Sequence, residues 1–460
     1  MKLTALSVDG FKNLKGVSLI PDPSYNLILG ENAQGKTNLL EAIWTLTGCR
    51  SFRGTRERDY LPFSGGNLQV EAKFQDARRE QSVRLCMVSG TVPEKKIWCN
   101  DVPQKSSALF SVFHCVTFTP EDLSLVEGGP ERRRTFLDLC SAQLHAPMLG
   151  LVRRYQLALQ QRNAVLKQRL PEAQAAGLLE IWDRQLEQLG TEIAVQRGIY
   201  VRRLAEVCVP LYAQIARGRE TVSLHYQSSV FGKDAQDTLP ETRTPELVQQ
   251  YGEKMRQSRS SDLLLGHTAS GAHRDDLLLA IDGKPAKEFG SQGQKKSLAL
   301  ALKLAQAEIY SKRRKESPVV LLDDVMGELD EARQAVVSTI VQELVLHQLR
   351  CCHNGHPLGN VLSCHVVHVA EHFQVQLCPV VFPLQFEQQE RSGSVGTAVS
   401  LCGVGPVDNV QSAVLVHDHI AGVKIPVANL DVVVHGIQAG MQVIAGGRVQ
   451  SGLADLPVHL

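Results

Sequence analysis

Eight consecutive residues near the N-terminus have the types and spacing of a phosphate-binding loop. Residues 30–37 read GENAQGKT, directly after the apolar run 26–29, and fit the pattern GxxxxGK[ST]. In such a loop, backbone N–H groups turn toward the phosphates, Lys36 reaches the β- and γ-phosphate oxygens, and the Thr37 hydroxyl ligates Mg²⁺. A plain strand-to-helix turn would need one glycine but neither Lys36 nor Thr37. The predicted nucleotide-binding residues are Gly30, Glu31, Asn32, Ala33, Gln34, Gly35, Lys36 and Thr37.

A second candidate site lies far downstream, where the stretch PVVLLDD (318–324) is an apolar strand pattern that ends in Asp323 and Asp324. Carboxylates at the end of a buried strand are costly unless they meet a cation or hydrogen-bond donors. Asp323 suits the Mg²⁺ shell, and Asp324 suits orienting or deprotonating the attacking water. A helix N-cap after a core strand is the alternative, for which one acid would be enough. The predicted catalytic residues are Lys36, Asp323 and Asp324, and the predicted metal ligands are Thr37 and Asp323.

A third stretch, SQGQ, precedes a long basic helix that is predicted to run to Lys312. Its residues are Ser291, Gln292, Gly293 and Gln294. A serine and a glycine at the start of a helix form an anion-binding end. A second phosphate-binding helix start cannot easily reach the nucleotide held by the first. We therefore add these four residues to the predicted nucleotide-binding set, serving the nucleotide of another subunit.

Four segments must position these motifs. Residues 1–131 are predicted to be short strands and turns around one helix over 38–46, the start of an α/β nucleotide-binding fold. Residues 132–216 have apolar residues at helical spacing and predict a helical insertion, broken near Pro171 and closed near Pro210. Residues 217–343 return to strand-like sequence around 222–265 and carry the second and third motifs. Residues 344–460 form an atypical tail.

The tail differs from the rest of the chain in composition. It holds ten of the fifteen histidines but one lysine, Lys424. Its charge is 4 basic minus 7 acidic residues, or −3, whereas residues 1–343 carry 45 minus 41, or +4. Runs such as 430–434 (LDVVV) have strand propensity, which fits a separate β-rich segment. A shifted reading frame is the other interpretation of this composition.

The bulk composition excludes some classes of protein. The chain has 460 residues, 43% of them hydrophobic, and a formal net charge of +1, so any nucleic-acid surface must be a local patch. No window approaches the run of about 20 apolar residues that a membrane span needs. Eleven cysteines are scattered along the chain, and the N-terminus lacks the apolar core of a signal peptide. We expect a cytoplasmic protein without a membrane partner.

The ordered set GENAQGKT, SQGQ and VVLLDD, followed by Glu328-Leu329-Asp330, resembles the ABC-type ATPases of the SMC and Rad50 group. Three further stretches resemble the RecF family of bacterial recombination mediators: FTPEDL (118–123), GGPERRRTFLD (128–138) and AHRDDL (272–277). The resemblance covers residues 1 to about 340. Ala272 stands where that family usually has proline, and the family's strand after the acidic motif is not recognisable beyond Leu344.

The resemblance implies an α/β fold, an ABC-type ATPase head with a helical insertion domain. It further implies ATP and Mg²⁺ as cofactors, an ATP-dependent homodimer, and weak ATP hydrolysis that acts as a switch. The implied role is binding gapped DNA at single-strand/double-strand junctions and, with RecR and RecO, helping to load RecA in repair, replication and the SOS response. Two alternatives are an ATP-binding subunit of a transporter, which would need a membrane partner, and a nucleotide-binding module without turnover.

The resemblance also turns two basic clusters into candidates for contact with DNA. The first follows the first predicted helix, and the second lies in the GGPERRRTFLD stretch. Basic runs are more often solvated or ion-paired than bound to DNA. No aromatic residue lies within 53–58 or 132–134, so contact with the DNA backbone is expected rather than base stacking. The predicted DNA-binding residues are Arg53, Arg56, Arg58, Arg132 and Arg133, with Arg50 and Arg134 beside them.

Overall fold

A computed structural model describes residues 1–22, 26–29, 33–91, 93–323, 333, 335–337, 339–340, 365–369 and 373–377. The strands are β1 Lys2–Asp9, β2 Val17–Leu19, β3 Leu27–Leu29, β4 Leu68–Gln75, β5 Glu80–Val88, β6 Glu94–Cys99, β7 Val102–Gln104, β8 Cys115–Phe118, β9 Val222–Gln227, β10 Asp276–Ile281, β11 Lys284–Pro285, β12 Val319–Leu322, β13 His365–Val369 and β14 Phe373–Leu377. The α-helices are α1 Lys36–Thr45, α2 Ser124–Glu127, α3 Pro130–Leu144, α4 Met148–Leu166, α5 Glu172–Ile215, α6 Ala235–Thr238, α7 Pro245–Gln257, α8 Arg259–Leu265, α9 Ala286–Phe289 and α10 Gln292–Arg314.

The N-terminal part is an antiparallel sheet of six strands in the order β2-β1-β4-β5-β6-β7. The strand β4 alternates buried and exposed side chains along its length, so one face of the sheet is apolar. Buried residues of α1, including Leu39, Ile43 and Trp44, belong to the same core cluster as Val70 and Phe74 of β4. The helix predicted over 38–46 is confirmed, and packing against the sheet holds it in place.

The strands β8 and β12 form a parallel pair with Cys115 opposite Val319 and Phe118 opposite Leu322. Successive side chains of β12 point to opposite faces, because a strand has a side-chain period of two. Leu321 belongs to the core cluster that contains α1, whereas Val320 and Leu322 pack against the cluster that contains α10. The pair β8–β12 therefore lies between the two cores, with α1 on one face and α10 on the other.

Three long helices, α3 to α5, occupy most of the segment in which a helical insertion was predicted. The longest, α5, has 44 residues and is about 66 Å long at 1.5 Å per residue. Pro171 is its N-cap, as the predicted break near that residue requires. Pro210 does not end the helix, however, because α5 continues through it to Ile215.

Two further sequence predictions are corrected by the structure. Only Val222–Gln227 of the strand-like region 222–265 is a strand, and most of the remainder forms α6, α7 and α8. The start of α7 carries a helix signal that the strand interpretation overlooked: Thr244 accepts a hydrogen bond from the Leu247 amide, and Pro245 occupies the first turn. The long helix after SQGQ is confirmed and reaches Arg314.

The second correction concerns the segment beyond Leu344, where no strand of the ATPase head was recognised from the sequence. β13 and β14 form an antiparallel hairpin, and β14 pairs antiparallel with β3, the strand that precedes the phosphate-binding loop. Gln374 lies opposite Leu29, and Gln376 lies opposite Leu27. The first strand sequence, HVVHV, is rich in valine, and the second, FQVQL, alternates apolar and polar residues; both patterns favour strands. Apart from these two strands, the predicted tail lies outside the described residues.

Candidate functional site

The phosphate-binding loop enters α1 through a backbone turn that only glycine accommodates well. Gly35 has φ +105°, and a Cβ atom there would lie 2.7 Å from the Asn13 Oδ1 atom. The Asn13 Nδ2 group donates to the Gln34 carbonyl at 3.0 Å and so supports the loop from the turn after β1. Ala33 also has a positive φ, +66°. The predicted loop residues Gly30, Glu31 and Asn32 lie outside the described residues.

Lys36 and Thr37 are the first two residues of α1. The amides of a first helical turn have no partner within the helix, and the helix dipole places partial positive charge there. Such an end binds phosphate groups. The position of Lys36 and Thr37 therefore suits the roles predicted for their side chains.

The Thr37 side chain meets the acidic strand. Its Oγ1 atom donates to the Asp323 Oδ1 atom at 3.0 Å, although the two residues are 286 positions apart. Asp323 directly follows β12, and its amide donates to the Phe118 carbonyl at 2.8 Å, which fixes its backbone to β8. Two motifs that lie far apart in the sequence thus meet at one place. Asp324 lies outside the described residues.

The two oxygens fit the Mg²⁺ ion that the sequence predicts at this site. Mg²⁺ prefers oxygen ligands at 2.0–2.1 Å in octahedral geometry, so neighbouring ligand oxygens lie about 2.9 Å apart. The separation of Thr37 Oγ1 and Asp323 Oδ1 is 3.0 Å. A hydroxyl and a carboxylate at this separation can occupy adjacent positions in such a shell. Elsewhere among the described residues, no group of three or more histidine, cysteine, aspartate or glutamate residues could hold a metal ion.

A buried acid on α1 that the sequence analysis missed connects the loops on either side of the helix. Glu41 is fully buried and accepts hydrogen bonds from Lys12 Nζ, Ser51 Oγ and, at 3.0 Å, Thr55 Oγ1. An unpaired buried carboxylate would be costly, whereas one with a cation and two hydroxyl donors is stable. The sequence does carry a signal for it, because Glu41 interrupts the apolar run of α1.

The predicted DNA-binding residues of the first cluster lie in the loop that Glu41 holds. Arg53, Arg56 and Arg58 are all exposed. The Arg53 Nη1 group donates to the Asn38 Oδ1 atom at 3.2 Å, one turn into α1. Asn38 in turn donates to Asn13 Oδ1 at 2.7 Å. Arg53 is therefore connected to the side chain that supports the phosphate-binding loop.

The arginines of the second cluster differ in burial. Arg132 is exposed, whereas Arg133 is buried and pairs through two nitrogens with Asp276, at 2.7 and 2.9 Å. Arg133 also donates to the Gly128 carbonyl at 2.8 Å. The prediction that Arg133 contacts DNA is corrected, because its guanidinium is already occupied inside the protein. The neighbouring Arg134 donates to the Asp275 carbonyl at 2.8 Å.

The AHRDDL stretch forms a buried polar junction. Asp275 accepts from the Tyr226 hydroxyl at 2.6 Å and from the Ser229 amide at 2.8 Å, and the Arg197 guanidinium lies 3.6 Å away. Burial raises the pKa of Asp275, and the neighbouring Arg197 opposes that rise. Burial also lowers the pKa of His273 to about 4. This junction connects the helix α5 to the strands β9 and β10.

The SQGQ stretch is an exposed helix start. Ser291 is the N-cap of α10, its Oγ atom accepts from the Gln294 amide at 3.3 Å, and Gln294 Oε1 accepts from the Ser291 amide at 2.8 Å. The Gln292 side chain donates to Glu127 Oε1 at 3.0 Å. Ser291, Gln292 and Gly293 are exposed to solvent. This reciprocal capping fixes the turn and leaves it accessible to another molecule.

Comparisons with known proteins agree with this arrangement. The family model RecF/RecN/SMC N-terminal domain matches residues 2–352. The DNA replication and repair protein RecF of Lactobacillus acidophilus is 36% identical over 339 residues, which are 73% of this chain and 88% of the relative. RecF of Desulforamulus reducens is also 36% identical, over 73% of this chain and 87% of the relative.

Solved structures give the same result. The recombination mediator protein RecF-ATPrS in the RecFOR pathway is 31% identical, has a TM-score of 0.66, and aligns over 74% of this chain and 90% of its own. The structure of RecF-ATP is 32% identical with the same TM-score and covers 74% and 89%. The predicted fold class, an ABC-type ATPase head, is confirmed. None of the helices in the described part of the chain is long and apolar enough to cross a membrane.

Proposed function

The chain belongs to the RecF family within the RecF/RecN/SMC N-terminal domain group, and from this we propose that it is a DNA-binding ATPase of DNA replication and repair. The observation that carries the ATPase part is the 3.0 Å hydrogen bond between Thr37 and Asp323. It brings the end of the phosphate-binding loop and the end of the acidic strand to one place. The DNA part rests on the family and on the exposed arginines Arg53, Arg56, Arg58 and Arg132.

In the proposed reaction each residue has one task. When bound, Mg²⁺ would neutralise charge on the phosphates of the substrate ATP. The first-turn amides of α1 and the Lys36 ammonium would hold the phosphates, and Thr37 and Asp323 would hold the metal. Asp324 orients the attacking water and accepts its proton. Hydrolysis is slow and serves as a switch between DNA-bound and released states.

The experiment that tests this function measures ATP hydrolysis with and without DNA. Lys36→Arg should keep most of the ATP affinity and lose hydrolysis, because a planar guanidinium cannot replace the compact ammonium donor. Hydrolysis by the unmodified protein should rise with gapped DNA. A rate that responds to phospholipid vesicles but not to DNA would favour the alternative of a transporter subunit. Tight ATP binding without turnover in the unmodified protein would favour a non-hydrolysing module.

We further propose that ATP joins two chains through the SQGQ turn. Within one chain, α1 and α10 lie on opposite faces of the β8–β12 pair. This placement favours contact between the start of α10 and a nucleotide that is held by a second chain. Ser291→Arg should leave ATP binding to the single chain nearly intact and abolish ATP-dependent dimerisation.

A mixing experiment sharpens this test. Chains with Ser291→Arg are combined with Lys36→Met chains, so that a heterodimer contains one composite site with both elements intact and one with neither. Sedimentation with ATP reports association, and a rate assay should recover part of the activity. Normal ATP-dependent dimerisation of Ser291→Arg chains alone would refute the assignment, and Ser291 would then be only a helix cap.

The finer parts of the proposal follow from the family. We propose that the preferred DNA is gapped, with single-strand/double-strand junctions, that RecR and RecO are partners, and that the outcome is loading of RecA in the cytoplasm during the SOS response. We also propose the domain division 1–131 and 217–343 for the head, 132–216 for the helical arm and 344–460 for the tail. DNA-binding assays with gapped, single-stranded and duplex DNA of equal length test the first point.

A further inference from the structure

Arg333 connects the region after the acidic strand to the SQGQ turn. Its Nη1 group donates to the Gly293 carbonyl at 2.8 Å and to the Ser297 Oγ atom at 2.5 Å. Gly293 lies within SQGQ, and Ser297 lies one turn later on α10. Arg333 follows Asp323 in the sequence, and Val337 and Ile340 just beyond it are buried in the same core cluster as α10.

The same guanidinium reaches the helical arm through Glu220. Its Nη2 group lies 3.3 Å from Glu220 Oε1. The Tyr212 hydroxyl, on α5, donates to Glu220 Oε2 at 2.5 Å. Arg333 and Glu220 are 18% and 15% exposed, so solvent screens their attraction less than it would on the open surface. The ion pair between Arg333 and Glu220 thus links α5 to the SQGQ turn.

Helix stability does not explain a cation at this position. The N-terminal turn of a helix carries partial positive charge, which favours anions, and cations are favoured at the opposite end. Arg333 donates to a carbonyl of the first turn of α10 and adds positive charge there. Glu220 offsets part of this unfavourable charge. The added charge also strengthens the attraction of the exposed side of the turn for a phosphate group.

We propose that Arg333 is a positioning residue that couples α5, through Glu220, to the SQGQ turn and so sets the affinity of one chain for another in the presence of ATP. This inference rests on the proposed dimer. Arg333 contacts neither nucleotide nor metal in this role. It holds the Gly293 carbonyl and the Ser297 hydroxyl in fixed positions relative to Glu220 and α5. The turn that meets the second chain is thereby kept in one position relative to α5.

Arg333→Lys keeps the charge and loses the planar fork that reaches three acceptors at once. We expect the ATP-dependent dimerisation constant to fall about tenfold or more, since a lost hydrogen bond from a charged group corresponds to roughly that factor. The affinity of the single chain for a fluorescent ATP analogue, measured at protein concentrations too low for dimers, should change less than about twofold. Glu220→Gln should show a smaller defect of the same kind.

Arg202→Lys is the matched control. Arg202 also donates to two further acceptors, the carbonyls of Gln236 and Leu239, and pairs with Glu241 at 2.8 Å, but it touches none of the three motifs. The control should lose comparable thermal stability and dimerise normally with ATP. An equal dimerisation defect in both variants, or normal dimerisation of Arg333→Lys, would overturn the proposal.

Two additional variants keep the test decisive. If Arg333→Lys does not fold, Ser297→Ala removes one of its acceptors and should lower dimerisation in the same direction, whereas unchanged dimerisation of that variant counts against the proposal. Ser291→Arg is measured in parallel. If Ser291→Arg fails to dimerise with ATP while Arg333→Lys dimerises normally, only the coupling through Arg333 is refuted. Normal dimerisation of Ser291→Arg refutes the dimer on which the coupling depends.

Discussion

Two adjacent arginines should respond to the same substitution in opposite ways. Arg133 is 9% exposed and makes a two-point ion pair with Asp276, which is 15% exposed, while Arg132 is exposed and no partner for it appears among the described residues. Arg133→Ala removes one member of a buried pair and leaves Asp276 without its cation. Arg132→Ala removes a solvated side chain. We expect the first change to affect stability and the second to affect DNA binding.

The magnitude follows from the contacts that remain. Removing one partner of a buried ion pair costs about 3–5 kcal/mol. Asp276 keeps a hydrogen bond from the Leu277 amide at 2.8 Å and some access to water, so the lower end of that range applies. Arg133→Ala should therefore lower the free energy of unfolding by about 3 kcal/mol. Arg132→Ala should change it by less than about 0.5 kcal/mol.

Chemical denaturation followed by circular dichroism measures the stability of both variants. Fluorescence anisotropy with labelled gapped DNA, at a temperature where both are folded, measures binding. Arg132→Ala should weaken binding and reduce the slope of log K against log salt by about 1, as loss of one phosphate contact requires. Arg133→Ala should bind DNA as the unmodified protein does. Unchanged stability of Arg133→Ala, or a DNA defect in that variant while it is folded, would refute the reasoning.

Three further outcomes are expected. Asp323→Asn should weaken Mg²⁺-dependent nucleotide binding, whereas Asp324→Asn should keep binding and trap an ATP-bound dimer on DNA; identical nucleotide affinities in the two variants would refute the division of roles. Gly35→Ala should abolish measurable ATP binding, because φ is +105° there and the new methyl group would lie 2.7 Å from a side-chain oxygen. Gly54→Ala is the control: φ is +73° there but the space is open, so it should cost only about 1–3 kcal/mol of stability. Burial lowers the pKa of His114 to about 4, so this side chain is neutral in the folded protein and protonates in the unfolded chain below about pH 6.5. The free energy of unfolding should therefore fall between pH 6.5 and pH 4. The unmodified protein should lose about 2 kcal/mol more of this free energy between pH 7.5 and pH 5 than His114→Phe does, and chemical denaturation at the two pH values measures the difference.

The sequence by itself determined the features whose physics is local. A phosphate-binding loop needs its glycines, lysine and threonine at fixed spacing, because neighbouring backbone amides and the first turn of one helix form the site. The helix α10 and its cap were predicted for the same reason, since Ser291 and Gln294 satisfy each other's amides across three residues. The fold class followed from these motifs and their order.

Where local signals competed, the sequence was less informative. Residues 235–265 were interpreted as strand-like and form three helices, although the Thr244-Pro245 cap was present in the sequence. The strand β14 was not recognised, because its place beside β3 depends on pairing with a segment more than 340 residues away. Strand formation depends on such partners far more than helix formation does.

Only the tertiary structure decided which side chains meet. The sequence could not distinguish Arg132 from Arg133, because burial depends on the strand β10, which is far away in the chain and supplies Asp276. It predicted Thr37 and Asp323 as ligands of one metal but could not give the hydrogen bond between them, nor the contact of Arg333 with Gly293. A charged side chain is costly when buried alone and stable when paired, and only the folded chain brings its partner to it.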